Sequence, residues 1–321
     1  MRRATTERWT TIALTFALLG CSEDEPVQEP VPARTAEPVQ EPSAPPSSSS
    51  DSWRTEVVIV GSGTPVPDPS RSGPATVVLV DGEPMLFDAG PGVVRAMVAA
   101  ELEPTAVTRA FLTHLHSDHT LGLPDLVLTP WVVGRDAALE VIGPPGTEAM
   151  VDHLVAAFAE DRRVRTDGLE GKGPLRVDAS DVEPSSVFES DRVRVEAFAV
   201  EHGSWEHAYG YRVDGPDRRL VISGDTGPSD AIVQACDGCD VLVHETYSTA
   251  RYAGLPESAR RYHGAFHTSA ADVGRLATRA RAKAVVLTHL LLWGATPESL
   301  VAEVREHFDG EVVVGHDGLR F

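Results

Sequence analysis

Thr113-His114-Leu115-His116-Ser117-Asp118-His119 gathers three imidazoles and a carboxylate into a run of six residues, 114–119. In an extended segment, residues two apart project to the same side. His114, His116 and Asp118 therefore point one way, and a turn then brings His119 alongside. Nitrogen and carboxylate donors at that density suit zinc or a similar divalent ion. The run leaves residues 109–113, which read as a short strand, and loops that follow a buried strand are where catalytic residues collect.

Working outward, the chain has 321 residues and a formal net charge of −20. An acidic surface favours solubility and repels phosphate backbones, whereas nucleic-acid binding runs on clustered Lys and Arg. Nucleic acid is thus disfavoured as a partner, although a local basic groove would survive on such a surface. Residues 1–10 carry Arg2, Arg3 and Arg8, and residues 12–19 are apolar apart from Thr15. That run is too short to span a bilayer and has the form of a signal-peptide core. It ends in Leu18-Leu19-Gly20-Cys21, which resembles the bacterial lipobox. Residues 1–21 are expected to be a lipoprotein signal peptide with Cys21 lipidated, anchoring an exported protein on the periplasmic or cell-surface side. Residues 22–54, rich in Pro, Ser and Glu, have too little apolar surface to offset the entropy of ordering. They read as a disordered tether, which leaves residues 55–321 as the domain.

Within the domain, the apolar β-branched run 56–60 predicts a strand, and 76–80 and 85–87 predict two more, flanking a hairpin signal at Asp81-Gly82. Strands are also predicted over 193–199, 209–213, 220–223, 241–243 and 284–288. Helices are predicted over 93–102, 147–160 and 269–282, and segments 298–307 and 311–314 close the chain. The first half is strand-rich and then mixed, and the second half repeats that order. Two sheets covered outside by helices fit the pattern. Cys236 and Cys239 form a lone CxxC, read as two small residues at a helix end, with an adventitious disulfide or a redox or metal role left open.

The run 114–119 at a strand end, preceded by Asp88-Ala89-Gly90-Pro91-Gly92, resembles the metallo-β-lactamase superfamily, and the resemblance covers residues 57–321. It implies an α+β (α/β) fold, a four-layer αββα sandwich with a metal site at one edge between two related halves. Further motifs resemble ribonuclease Z and the arylsulfatase-type enzymes beside it. They are Gly61-Ser62-Gly63-Thr64-Pro65, Glu201-His202-Gly203 with Ala208-Tyr209-Gly210-Tyr211-Arg212, and Ser223-Gly224-Asp225-Thr226. His244-Glu245-Thr246, His267-Thr268-Ser269 and Val286-Leu287-Thr288-His289 complete the set. Residue by residue, the resemblance implies that His114, His116 and His202 hold one cation and Asp118, His119 and His289 a second. Asp225 would bridge the two, with a water or hydroxide. His207 is an alternative to His202. Two divalent ions are implied, zinc by default, with manganese or iron compatible. Asp118, His267 and Glu245 are the implied catalytic residues. His267, oriented by Glu245, would protonate the leaving group, unless that pair only orients the ligands.

One departure matters. Ribonuclease Z usually carries a long basic arm between the third and fourth motifs, which grips tRNA. Here residues 211–225 hold only a tight turn around Gly215-Pro216. The missing arm, the acidic surface and the leader tilt the expectation toward hydrolysis of small sulfate, phosphate, carboxylic or lactone esters. A ribonuclease Z-like phosphodiesterase is the alternative, and a non-enzymatic metal-binding lipoprotein a second one. The expected partner is a small-molecule ester, with the membrane reached through the lipid anchor and a homodimer expected by analogy. Trp131, Trp205, Phe266 and Trp293 are candidate pocket walls and residues 67–72 a candidate entrance loop. His153, His307 and His316 are read as ordinary.

Overall fold

Strand β1 (Thr55–Gly61) sets the layering, because its side chains alternate between two apolar clusters. Val57 and Ile59 enter one, Val58 and Val60 the other. A strand that is apolar on both faces must be covered on both. The computed structural model describes residues 54–321. The expected signal peptide with Cys21, and the tether 22–54 up to its last residue, lie outside the described residues.

After β1 come β2 (Ala75–Val80) and β3 (Glu83–Phe87), joined at Asp81 and Gly82. Both turn residues have positive φ, 51° and 85°, as the primed hairpin turn that matches strand twist requires. β4 (Arg109–Phe111), β5 (Leu139–Gly143) and β6 (Val177–Asp181) then add in parallel. The second sheet holds β7 (Ser186–Glu189), β8 (Arg194–Ala199), β9 (Tyr209–Asp214), β10 (Arg219–Ile222), β11 (Val241–Tyr247), β12 (Ala284–Leu291) and β13 (Glu311–Val314). β14 (Leu319–Arg320) returns to the first sheet and pairs with β1. The orders are β14-β1-β2-β3-β4-β5-β6 and β13-β12-β11-β10-β9-β8-β7.

The helices are α1 (Val93–Ala99), α2 (Ser117–Thr120), α3 (Leu123–Val133), α4 (Thr147–Ala157) and α5 (Ala159–Asp167) in the first half. The second half has α6 (Asp230–Cys236), α7 (Thr249–Tyr252), α8 (Glu257–Phe266), α9 (Ala270–Ala280) and α10 (Pro297–Arg305). Three cores define four layers, as the resemblance implied. Val77 and Leu86 pack with Met97 of α1 and Leu126 of α3 outside the first sheet. Phe87, Phe111, Tyr211 and Val286 fill the space between the sheets. Leu242 and Val285 pack with Val273 of α9 and Leu300 of α10 outside the second sheet. In the middle layer Phe87 stacks on Phe111 with centroids 5.0 Å apart, and Tyr211 leans on both. Such pairs add about 0.5–1.5 kcal/mol each beyond their burial.

The helix predicted over 147–160 is two helices. Phe158 leaves helical geometry at φ −101° and ψ 21°, which ends α4 and starts α5. The tight turn expected near Gly215 is present: residues 215–218 join β9 to β10, closed by the Gly215 N–H donating to the Arg218 carbonyl at 2.9 Å. Cys236 and Cys239 are joined by a disulfide at the end of α6, buried in the outer core of the second sheet.

Candidate metal centre

The site gathers at the C-terminal ends of β3, β4, β10, β11 and β12, where loops of parallel strands in the two sheets meet. His114 and His116 lie on the extended stretch between β4 and α2, and Asp118 and His119 on α2. The turn is closed by the His119 N–H donating to the His116 carbonyl at 3.1 Å. His202 follows β8, and Asp225 follows β10. His289 lies inside β12 at a bulge, where pairing shifts from Glu245↔Thr288 to Thr246↔Leu290. Its φ of 44° marks a strained backbone, and the extra residue re-aims a side chain that regular pleating would send elsewhere.

The structure brings all seven expected donors together. Donor atoms of His114, His116 and His202 lie within 4.8 Å of one another, as do those of Asp118, His119 and His289. Asp225 groups with His114 and His119 on one side and with His267 and His289 on the other. In the first triad the His116 Nδ1 faces the His114 Nε2 at 2.9 Å and the His202 Nε2 at 3.1 Å. In the second, the His289 Nε2 lies 3.3 Å from oxygens of both Asp118 and Asp225. His207 joins no such group among the described residues.

Most ring nitrogens turned away from the cluster have a partner behind them, the His289 Nδ1 being the exception. The His119 Nδ1 donates to Asp88 Oδ2 at 2.8 Å, so its Nε2 faces the cluster, buried and without a hydrogen-bond partner. Asp88 also accepts from the Thr113 N–H at 2.8 Å and the Thr113 hydroxyl at 2.9 Å. The His202 Nδ1 donates to the Phe266 carbonyl at 2.8 Å, which leaves its Nε2 unprotonated and facing His116. An unpaired buried nitrogen is costly, and imidazoles whose far side is hydrogen-bonded are the usual arrangement of metal ligands. The donor set therefore fits a metal centre.

The charges agree. Burial, reinforced by the neighbouring His119, holds His114 well below the ordinary imidazole range. Burial also lowers His116, and it takes His202 down to about 4. All three are thus neutral imidazoles. On His119, burial opposes the charge, but Asp225 and Asp88 outweigh it and hold the imidazole well above its ordinary value. On His267, burial likewise opposes the charge, and Glu245 and Asp225 overcome it. The His267 Nδ1 lies 3.4 Å from Glu245 Oε2, while Glu245 Oε1 accepts from the Thr268 N–H at 2.7 Å.

A cleft of about 720 Å³ opens beside Asp118, walled by residues 64–73 with Leu121 and Asp317. The expected entrance loop is this wall. It is fastened by Asp317, which accepts from the Ser62 and Ser72 N–H groups at 3.0 and 2.6 Å. Of the four candidate pocket walls, Trp205 donates to the His116 Nε2 at 2.8 Å, Phe266 packs on His202, and Trp293 packs on His263. Trp131 is elsewhere: it is a buried residue of α3, donates to the Gly173 carbonyl and lines a separate hollow. Sequence reasoning gave no role to Asp88, whose backbone sits at φ 61°, or to Tyr262 and His263 on α8.

A family model described as "Beta-lactamase superfamily domain" matches residues 84–290. The chain belongs to this superfamily. Among curated members it is 30% identical over 270 residues to ribonuclease Z of Mycobacterium bovis (strain BCG / Pasteur 1173P2), covering 82% of this chain and 96% of that one. The short form of human tRNase Z shares the fold, with a TM-score of 0.64, 24% identity, and coverage of 83% of this chain and 98% of that one. The zinc-bound PqqB of Methylobacterium extorquens does so with a TM-score of 0.59 and 17% identity, over 83% of this chain and 99% of that one. As a member of the β-lactamase superfamily with a metal-ligating cluster, the protein is a metallo-hydrolase. Its curated relatives are named ribonuclease Z, which favours the phosphodiesterase alternative over the small-ester expectation.

Proposed function

We propose that the domain is a binuclear metal-dependent phosphodiesterase of the ribonuclease Z kind. The observation that carries this reading is the pair of donor triads joined through Asp225. His114, His116 and His202 would hold one divalent ion and Asp118, His119 and His289 the other, with Asp225 between them. Zinc is the favoured ion for this mix of imidazole and carboxylate. Bound there, the ions would supply an activated water near neutral pH and neutralise charge on the phosphoryl group. The chain's own contribution is orientation and proton delivery. Asp88 and the Phe266 carbonyl fix the tautomers of His119 and His202. Glu245 faces the His267 Nδ1 and keeps that ring charged, so Nε2 is the atom that gives a proton to the leaving oxygen.

The tight turn at 215–218 offers no arm of tRNA-gripping length at that place, so a short or unstructured strand is the favoured substrate over a folded tRNA. Export through residues 1–21 and anchoring at Cys21 belong to the same proposal, and a Cys21→Ser chain released from membranes would support it. The test of function uses the zinc-loaded protein with a 3′-extended RNA, bis(p-nitrophenyl) phosphate, p-nitrophenyl sulfate and a lactone. Cleavage of the two phosphodiesters, lost on chelation and restored by zinc, is expected. Turnover of the sulfate or lactone alone would return the small-ester reading. No turnover with both ions bound would leave a metal-binding lipoprotein.

A further inference from the structure

None of the residues of α8 is buried, yet the helix carries an ordered aromatic stack. The Phe266 ring stands edge-on to the ring of His202, with centroids 4.9 Å apart. One turn back, Tyr262 stacks on Phe266 at 4.4 Å and 22°. Residues four apart share a helix face, so the pair is built into α8 rather than formed by chance approach. Its seat is made by Gly203, at φ 57°, where an added Cβ would come within 2.1 Å of the Phe266 ring. Behind the stack, the ring of His263 packs on Trp293 at 4.7 Å and on Tyr262 at 5.0 Å.

The outer face of this stack is open: Tyr262 is 47% exposed. A single exposed tyrosine is ordinary. This one ends a column of rings that starts on a donor of the metal cluster. Two ring contacts, 4.4 Å from Tyr262 to Phe266 and 4.9 Å from Phe266 to His202, link it to that donor. With the phosphoryl group held at the cations, a base attached to it would lie beside the cluster, and α8 flanks that cluster through the Phe266 ring on His202.

We propose that the open face of Tyr262 is a stacking platform for the nucleobase next to the scissile phosphodiester. The proposal rests on the phosphodiesterase reading. Every nucleobase offers a π-face, so such a platform is tolerant of sequence, and removing one ring typically weakens binding by roughly fivefold to a hundredfold. Adenosine 5′-monophosphate and ribose 5-phosphate differ in the base alone, and calorimetry with the zinc-loaded protein measures their affinities without turnover. The mononucleotide is expected to bind about tenfold tighter. Tyr262→Phe should keep that ratio. Tyr262→Ala and Tyr262→Leu, the second keeping apolar bulk without a flat ring, should bring it near one. A ratio near one in the unaltered protein, or an unchanged ratio in Tyr262→Ala, would overturn the platform. Failure to cleave any phosphodiester, with the ratio intact, would overturn only the reading of the reaction.

Discussion

Asp88 accepts a hydrogen bond from the His119 Nδ1 at 2.8 Å, and it does so from a backbone at φ 61°. That conformation is unfavourable for a residue other than glycine, and such strain persists where the surroundings over-determine it. Here the Thr113 N–H and hydroxyl hold the same carboxylate. Asp88→Asn keeps the size but places an NH₂ group against a donor. The expected result is a cation affinity lower by about 10- to 100-fold at the Asp118–His119–His289 triad, with the other triad unaltered. Two-step zinc calorimetry reads this directly, and equal weakening of both steps would sink the assignment.

The two triads should also part with their ions at different acidity. Metal ligands must be unprotonated. His119 has a raised value, so lowering the pH protonates it early and competes with the cation. His114, His116 and His202 have lowered values, His202 at about 4, and stay neutral well below the ordinary imidazole range. Bound zinc per chain, measured after dialysis, should fall from two toward one as the pH is lowered, and the second ion should leave only at more acid pH. Loss of both ions together would contradict the separation.

His267→Ala should leave the metal content unaltered and act on the leaving group. With a p-nitrophenolate leaving group, which needs no proton, the rate should change little. With an alkoxide leaving group it should fall by about 10²- to 10⁴-fold. Glu245→Gln should follow in the same direction, because the carboxylate that sustains the charge on His267 is gone. Equal losses on both substrates would mean that His267 only positions ligands.

Gly90 marks a place where three backbones meet. A Cβ there would lie 2.3 Å from the Gly73 carbonyl carbon and 2.6 Å from the Asp118 carbonyl oxygen. Neither can retreat without moving a donor. Gly90→Ala is expected to cost at least about 1–3 kcal/mol and lower the melting temperature by several degrees. Gly173→Ala, where a Cβ meets nothing within 4 Å, is the matched control and should leave the melting temperature near its original value.

The donors were legible because their chemistry is dense: no packing need explains three imidazoles and a carboxylate in residues 114–119. The strands were legible because β-branched runs alternate between clusters, as in β1. What stayed hidden has physical reasons. Asp88 looks like one acid in a Gly-Pro turn until the φ and three hydrogen bonds are known. No residue of α8 is fully buried, and its apolar face is only the pair Tyr262 and Phe266, too short a stripe to read. α3 has Pro124 in its first turn and Pro130 inside, and the helix runs on through Pro130 although proline usually punctuates a sequence. Trp131 sits twelve residues beyond His119, yet α3 turns its ring away toward Gly173.

Asp317 has a consequence for how the protein comes into being. It clasps the peptide groups of Ser62 and Ser72, and the strand just beyond it docks on β1. The front wall of the cleft is therefore assembled from opposite ends of the domain. A nascent chain that already holds every ligand through His289 still lacks this clasp. The catalytic hollow takes its final shape only once the segment around Asp317 has emerged from the ribosome.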